Sequence, residues 1–287
     1  MQKINTRVLV SGAEFFDDGF AINSHMDDKN PVDLEKAIAE HAEIISLYKQ
    51  AGIEVIKIDA PAGCQDGVYT ANWGLVRGNV AVLSNLPNKR QAEEDYAEKA
   101  LKALGLRTTR LPEGVRFSGQ GDALPCGKYL FVGTGYRTSL DAHQTLEEEL
   151  GLQVIGLQAI PQLDANQNPV INPVTGWPDS FFYDLDLALA VISPNLIAWC
   201  PEAFLPDSQA KIRAISDLEK IEVSLDEAKN GFACNLVSTG ESVIMSSHAP
   251  SLKNSLESRG LNVYTPEVTE LLKGGGFIRC ISLTIDN

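Results

Sequence analysis

The feature that most constrains this chain is a unit that recurs along it. An amphipathic, helix-like segment closes on glycine and passes at once into a β-rich run. It is read at Gln50-Ala51-Gly52-Ile53-Glu54-Val55-Ile56, at Ala103-Leu104-Gly105-Leu106-Arg107-Thr108-Thr109, at Glu149-Leu150-Gly151-Leu152-Gln153-Val154-Ile155 and at Ser258-Arg259-Gly260-Leu261-Asn262-Val263-Tyr264. A fifth version, near Asp217 to Val223, lacks the glycine. Between these joints lie paired strand-like runs with turn residues at their centres, over 75–83, 123–132, 189–199 and 236–245. Helices are expected to start near Asp33, Lys89, Ser139, Asp207 and Ala249. About five units of roughly 40–70 residues point to radial or solenoid repetition. An open, doubly wound sheet is the alternative. Hairpins alternating with helices disfavour it, because a hairpin is an antiparallel signal.

No proline- or serine-rich linker divides the chain, so residues 1–287 read as a single domain. Asp164 to Ser180, with Asn, Pro and Gly throughout, reads as a long loop of the kind that often serves as a lid. The formal charge of −14 argues against a nucleic-acid partner, which would require a basic face. It suits a small cationic ligand, although acidic surfaces also serve solubility. No apolar run approaches the ~20 residues that span a bilayer, and the first residues carry no signal-peptide core, so a cytoplasmic protein without membrane attachment is expected.

Five cysteines with no repeated Cys-x-x-Cys or Cys/His spacing fit neither a disulfide framework nor a zinc site. Cys64, Cys126, Cys200 and Cys234 are read as packing thiols. Gly119/Gly121, Gly133/Gly135 and Gly274 to Gly276 lack the spacing of a dinucleotide fingerprint. Asp184 and Asp186, read as alternating on a strand, face one side, with the apolar stretch Leu187 to Ile192 suggesting enclosure. Two enclosed carboxylates call for a cationic partner.

Several strand-end segments are more specific. Gln65-Asp66-Gly67-Val68-Tyr69-Thr70-Ala71-Asn72, Phe117-Ser118-Gly119-Gln120-Gly121-Asp122, Gly133-Thr134-Gly135-Tyr136-Arg137-Thr138, Phe182-Tyr183-Asp184-Leu185-Asp186 and Gly274-Gly275-Gly276-Phe277-Ile278-Arg279-Cys280 follow in that order. Together they resemble the amidinotransferase-like branch of the guanidine-modifying (pentein) superfamily, which includes arginine deiminase and dimethylarginine dimethylaminohydrolase. The early Ala21-Ile22-Asn23-Ser24-His25-Met26-Asp27 resembles that branch too, and the likeness runs from about Arg7 to Leu283. The resemblance implies an α/β fold: a five-fold pseudosymmetric propeller of repeated helix-strand-hairpin units, with the substrate in its central channel. It implies Cys280 as the nucleophile that forms a covalent adduct on a guanidinium carbon, resolved by water or an acceptor amine. Asp186 would grip the guanidinium nitrogens, with Asp66 and Asn72 on the opposite wall and Arg137 on the substrate carboxylate. Asp122 is a further candidate contact or a structural turn residue. No metal, no organic cofactor and, at the level of the family, a homodimer are implied.

Two departures from that pattern concern the chemistry directly. The family's His-Leu-Asp reads Asp184-Leu185-Asp186 here, and the Glu that usually follows the aromatic of the second segment is Ser118. The missing histidine normally protonates the departing amine and then activates water. Asp184 could replace it if its pKa rose by several units, and His248, placed between a predicted strand and a helix, is the other candidate. His25, His41 and His143 read as surface or helix-face residues. The leading reading is a cysteine-dependent hydrolase or amidinotransferase for an arginine-related guanidino compound. Its rivals are a non-catalytic member that binds such a ligand or acts as a scaffold, and a metal-dependent hydrolase built on Asp66, Asp184 and Asp186.

Overall fold

The computed structural model describes residues 3–27 and 29–285. In chain order the elements are β1 (Arg7–Val10), α1 (Leu34–Gln50) and β2 (Glu54–Lys57), then β3 (Gly74–Arg77), β4 (Val80–Leu83), α2 (Ala92–Ala103) and β5 (Arg107–Thr109). There follow β6 (Ala123–Cys126), β7 (Tyr129–Gly133), α3 (Ala142–Leu150) and β8 (Gln153–Leu157), then β9 (Leu189–Ser193), β10 (Leu196–Trp199), α4 (Pro206–Ala214), β11 (Glu219–Glu222) and α5 (Leu225–Asn230). The chain ends with β12 (Val237–Ser238), β13 (Ser242–Ile244), α6 (Pro250–Ser258), β14 (Asn262–Tyr264) and β15 (Leu283–Thr284).

The recurring unit is now explicit. A tight antiparallel hairpin is followed by a helix that returns the chain to lay a third strand parallel to the hairpin's second. The helices form for local reasons. In α1, Asp33 caps the first turn by accepting from the Lys36 amide at 3.1 Å, and Ala37, Ile44, Ile45 and Tyr48 make one buried stripe. Gly52, Gly105 and Gly260 each sit at φ +84, the left-handed conformation that lets a helix stop and a strand begin within two residues. The unit without glycine turns differently: Ile215 after α4 stays extended, at φ −77 and ψ 101.

Five three-stranded sheets result. Four are built from consecutive segments. The fifth is shared by both ends of the chain, with β1 antiparallel to β15 (Leu9 opposite Leu283) and parallel to β2. The inner strands β15 and β3 touch, as do β6 and β9, and β9 and β12, while α3 packs on β4 and α1 on β13, so the sheets follow one another around a ring. This is the propeller-like α/β arrangement that the repeat implies. The long segment 164–180 carries only isolated bridges, Leu163 with Pro169 and Ile171 with Pro178. Among the described residues no helix is long and apolar enough to cross a membrane.

One local expectation is corrected. Asp184 and Asp186 do not alternate on a strand: Leu185–Leu187 is a 3-10 turn ahead of β9, so their side chains diverge. Within 277–285 only Leu283–Thr284 is strand, and Cys280 lies in the turn before it. Helix α5 was not anticipated.

Candidate active site

A turn precedes the inner strand of each sheet, and these turns supply the chemistry. Asn72 lies two residues before β3, Asp184 and Asp186 just before β9, Asn235 two before β12 and Cys280 three before β15. Side chains from separate sheets therefore converge where the inner strands meet.

The thiol is held from several directions. Tyr48 of α1 and Tyr69 donate to the carbonyls of Ile278 and Leu271, both at 2.5 Å, and Tyr183 donates to Gly275 at 2.8 Å. Asn235 accepts from the amides of Arg279 and Cys280 at 2.9 and 3.4 Å and donates through Nδ2 to Cys280 Sγ at 3.1 Å. The thiol donates to Asp186 Oδ2 at 3.3 Å. A Cβ on Gly276 would come within 2.5 Å of the Tyr69 ring and 2.9 Å of Cys280 Cβ, so only glycine lets this loop pass the nucleophile. Burial pushes the Cys280 pKa well up, and the charge of Asp186 adds to that rise. The free protein thus holds a thiol there, not a thiolate.

Cys280 shares a cavity with Asp66, Asn72, Arg90, Arg137, Asp184, Tyr69 and Tyr183, closed over by Ile22 and Asn23. Asp184 is buried, accepts from Asn72 Nδ2 at 2.8 Å and leaves Oδ1 without a donor among the described residues. The same Asn72 amide reaches Ser118 Oγ at 2.9 Å, so positions 118 and 184 stay linked through it. Burial raises the Asp184 pKa, opposed chiefly by Arg137. Burial also raises Asp66 to about 6, against the pull of Arg90.

Arg90, which the sequence reading missed, is the strut of this wall. It is ion-paired with Glu93 at 2.7 Å, both residues buried, and donates to Asn72 Oδ1 at 2.9 Å and to the Asp66 carbonyl at 3.2 Å. Trp73 donates to the same Glu93 at 3.0 Å. Arg137 lies over the Tyr183 ring at 4.8 Å and donates to the Ile22 carbonyl at 2.6 Å, tying down the segment that covers the cavity. Asn23 is fixed to the Gly274 carbonyl at 2.9 Å, and Asn172 of the long loop reaches Ala21 at 3.3 Å. The space left before the thiol is about 10 Å³, room for one water-sized sphere.

Three expected contacts are placed elsewhere. Asp186 lies behind the thiol and does not line this cavity. Asp122 accepts from the Leu185 amide at 3.0 Å and so braces the turn that carries Asp184; it is a structural carboxylate. His248 is 66% exposed in its side chain and lies 3.8 Å from Glu267 on the surface, which removes it as a proton donor at Cys280. Among the described residues no group of three His, Cys, Asp or Glu is arranged to hold a metal. His25, expected at the surface or on a helix face, is half-buried against Phe181 and Tyr183.

A ring of five sheets with a buried cysteine facing carboxylates across its centre defines the guanidine-modifying pentein class. Within it, the family described as N,N dimethylarginine dimethylhydrolase, eukaryotic, matches residues 16–286, and the chain belongs to that family. It is 32% identical to N(G),N(G)-dimethylarginine dimethylaminohydrolase of Mycobacterium tuberculosis, over 97% of this chain and 85% of the relative. It is 30% identical to the bifunctional arginine dihydrolase/ornithine cyclodeaminase AgrE of Nostoc, of which it spans 38%. The solved N-terminal domain of ArgZ, a cyanobacterial arginine dihydrolase, superposes with a TM-score of 0.87 at 29% identity, covering 99% of this chain and 98% of that one. Dimethylarginine dimethylaminohydrolase of Pseudomonas aeruginosa, at 18% identity and a TM-score of 0.77, shares the fold.

Proposed function

We propose that this single-domain protein is a cysteine-dependent hydrolase of an arginine-related guanidino compound, acting through a covalent adduct on Cys280. The observation that carries the reading is the shared cavity: a thiol, two carboxylates (Asp66 and Asp184) and an arginine converge in one closed space. The relatives support it by their activities, since a dimethylargininase and two arginine dihydrolases are among them. One solved ArgZ variant is covalently bonded to a reaction intermediate.

The residues divide the work as follows. A planar guanidinium donates to the Asp66 carboxylate in a charge-assisted bond and to the carbonyl oxygen of protonated Asp184, and Arg137 takes the substrate carboxylate. The arriving cation offsets the burial that keeps Cys280 protonated, so ionisation is coupled to binding. The Cys280–Asp186 pair sheds one proton as the cation arrives, and the one that remains sits on Asp186 while Sγ bonds to the guanidinium carbon. Protonated Asp184 gives its proton to the departing nitrogen as the C–N bond breaks, then takes one from the water that resolves the adduct. Its raised pKa and its unpartnered Oδ1 suit that double role. With so little space before the thiol, the Ile22–Asn23 segment must move outward to admit substrate.

The test is incubation with arginine, methylated arginines, agmatine and guanidinoacetate, following ammonia, amine and ureido products alongside intact mass. Turnover plus an adduct that Cys280→Ser abolishes is the expected result. Neither adduct nor turnover with any of these would leave a binding protein.

A further inference from the structure

Behind the thiol, on the other side of Asp186, lies a second and larger space. Its volume is about 380 Å³, within the range of small-molecule sites. Its floor holds buried Asp186, its rim the exposed cations Lys3 and Arg77, and its sides the apolar Leu189, Val191 and Leu236. Asp186 is 1% exposed, and its Oδ1 has no hydrogen-bond donor among the described residues, while Oδ2 is engaged by Cys280. One carboxylate therefore forms the wall between the two spaces.

The charges along this chamber are ordered. Arg279, on its side, is bonded to the Ser282 carbonyl at 3.0 Å and to Gln120 Oε1 at 2.8 Å. Lys3 is paired with Glu241 at 3.0 Å. Arg77 has no carboxylate within ion-pair distance among the described residues. A buried carboxyl with one oxygen lacking a donor thus lies at one end, apolar walls in the middle and an available cation at the mouth. We propose that the rear chamber is a second binding site. Its ligand is a small molecule with an ammonium or guanidinium at one end, an aliphatic middle and a carboxylate at the other, and its occupation is coupled to Cys280 through Asp186.

The physical link is short. Burial and the charge of Asp184 favour the neutral form of Asp186. A cation at Oδ1 favours the carboxylate and stabilises negative charge on the Asp186–Cys280 pair as a whole, so the pair loses its proton more readily. By linkage, whatever ionises Cys280 from the front strengthens binding behind it.

The probe is 6-aminohexanoate. It is titrated by calorimetry into the Cys280→Ser protein and into the same protein carrying Val191→Trp, which fills the chamber from a half-buried position on β9, or Arg77→Glu, which reverses the rim charge at the surface. Saturable binding is expected, abolished by Val191→Trp and weakened by about fivefold or more by Arg77→Glu. In the parent protein the probe should speed alkylation of Cys280 by iodoacetamide, read by intact mass. The rise should be up to about tenfold per pKa unit gained and absent in Val191→Trp. No saturable binding, or binding indifferent to both rear variants, overturns the site; binding with unchanged alkylation overturns the coupling. Neither readout requires turnover, so failure here is distinct from failure of the proposed hydrolase activity.

Discussion

Asp184→Asn isolates the proton carrier from everything else Asp184 does. The asparagine carbonyl can still accept from Asn72 Nδ2, now at 2.8 Å from Oδ2, so the link to Ser118 survives and the turn before β9 is not left with a broken bond. What is lost is the exchangeable proton. General acid–base catalysis contributes about 10²–10⁴-fold, so kcat is expected to fall by that factor. The asparagine carbonyl can still accept from the guanidinium, so KM should change far less than kcat. In the free protein burial holds the Asp184 carboxyl above its usual range, so its protonated form extends to higher pH than an exposed aspartate would allow. Turnover that needs this proton falls as pH rises through that pKa, and the variant should lose that limb of the profile. Stopped reactions read by intact mass separate the steps, because slow adduct formation reports the lost acid and a persistent adduct reports the lost base. If the variant turns over at the parent rate with an unchanged pH profile, Asp184 carries no proton and the mechanism above is wrong.

Asp66 makes a stability prediction with a fixed sign. Its carboxyl is raised from 3.8 to about 6 in the folded protein, so the neutral form is favoured. The associated stability is present below the unfolded pKa and is lost as pH rises through about 6, by about 3 kcal/mol at roughly 1.4 kcal/mol per pKa unit. Urea unfolding of Asp66→Asn should lack that part of the decline across this window, and an identical decline in both proteins would contradict it. Arg90→Ala leaves the Glu93 carboxylate buried without its partner, which costs about 3–5 kcal/mol. Thermal unfolding should show that loss, and Arg90→Lys should recover part of the stability but not the hold on Asn72. A variant as stable as the parent would show that the strut bears no load.

The repeat was legible because each joint leaves a local mark: an amphipathic run, then a glycine in the left-handed region, then β-branched residues. A ring was expected from the five units and the resemblance, but the strands that close it were not legible, since the fifth sheet pairs Leu9 with Leu283 and nothing local announces a contact between the two ends of a chain. Cys280, Asp66, Asn72, Asp184 and Arg137 were found through their motifs, and the structure brings them to one cavity. Asp184 and Asp186 were given one face because a two-residue spacing was read with the period of a strand, whereas Leu185–Leu187 is a 3-10 turn. Arg90 was overlooked because a basic residue at the start of a helix ordinarily faces water. Only its pairing with Glu93, three residues on, gave a hint of burial. Asn235 left a clearer signal that went unused: it stands two residues before β12, the place Asn72 occupies before β3.

That shared place also accounts for how the chain can depart from its family at two positions and keep a coherent site. Each functional side chain hangs from its own turn, and each turn is braced by contacts that do not involve its neighbour's functional group. Asp122 holds the Leu185 amide, Arg90 holds Asn72, and Asn235 holds the Arg279 and Cys280 amides. Replacing a histidine by Asp184 and a glutamate by Ser118 alters two adjoining side chains while leaving every one of those braces in place. The bridge between them is the Asn72 amide, which donates to either an oxygen of Ser118 or one of Asp184. On the proposed mechanism the two departures change what carries the proton, and the pH at which it works, without disturbing the braces that hold Cys280.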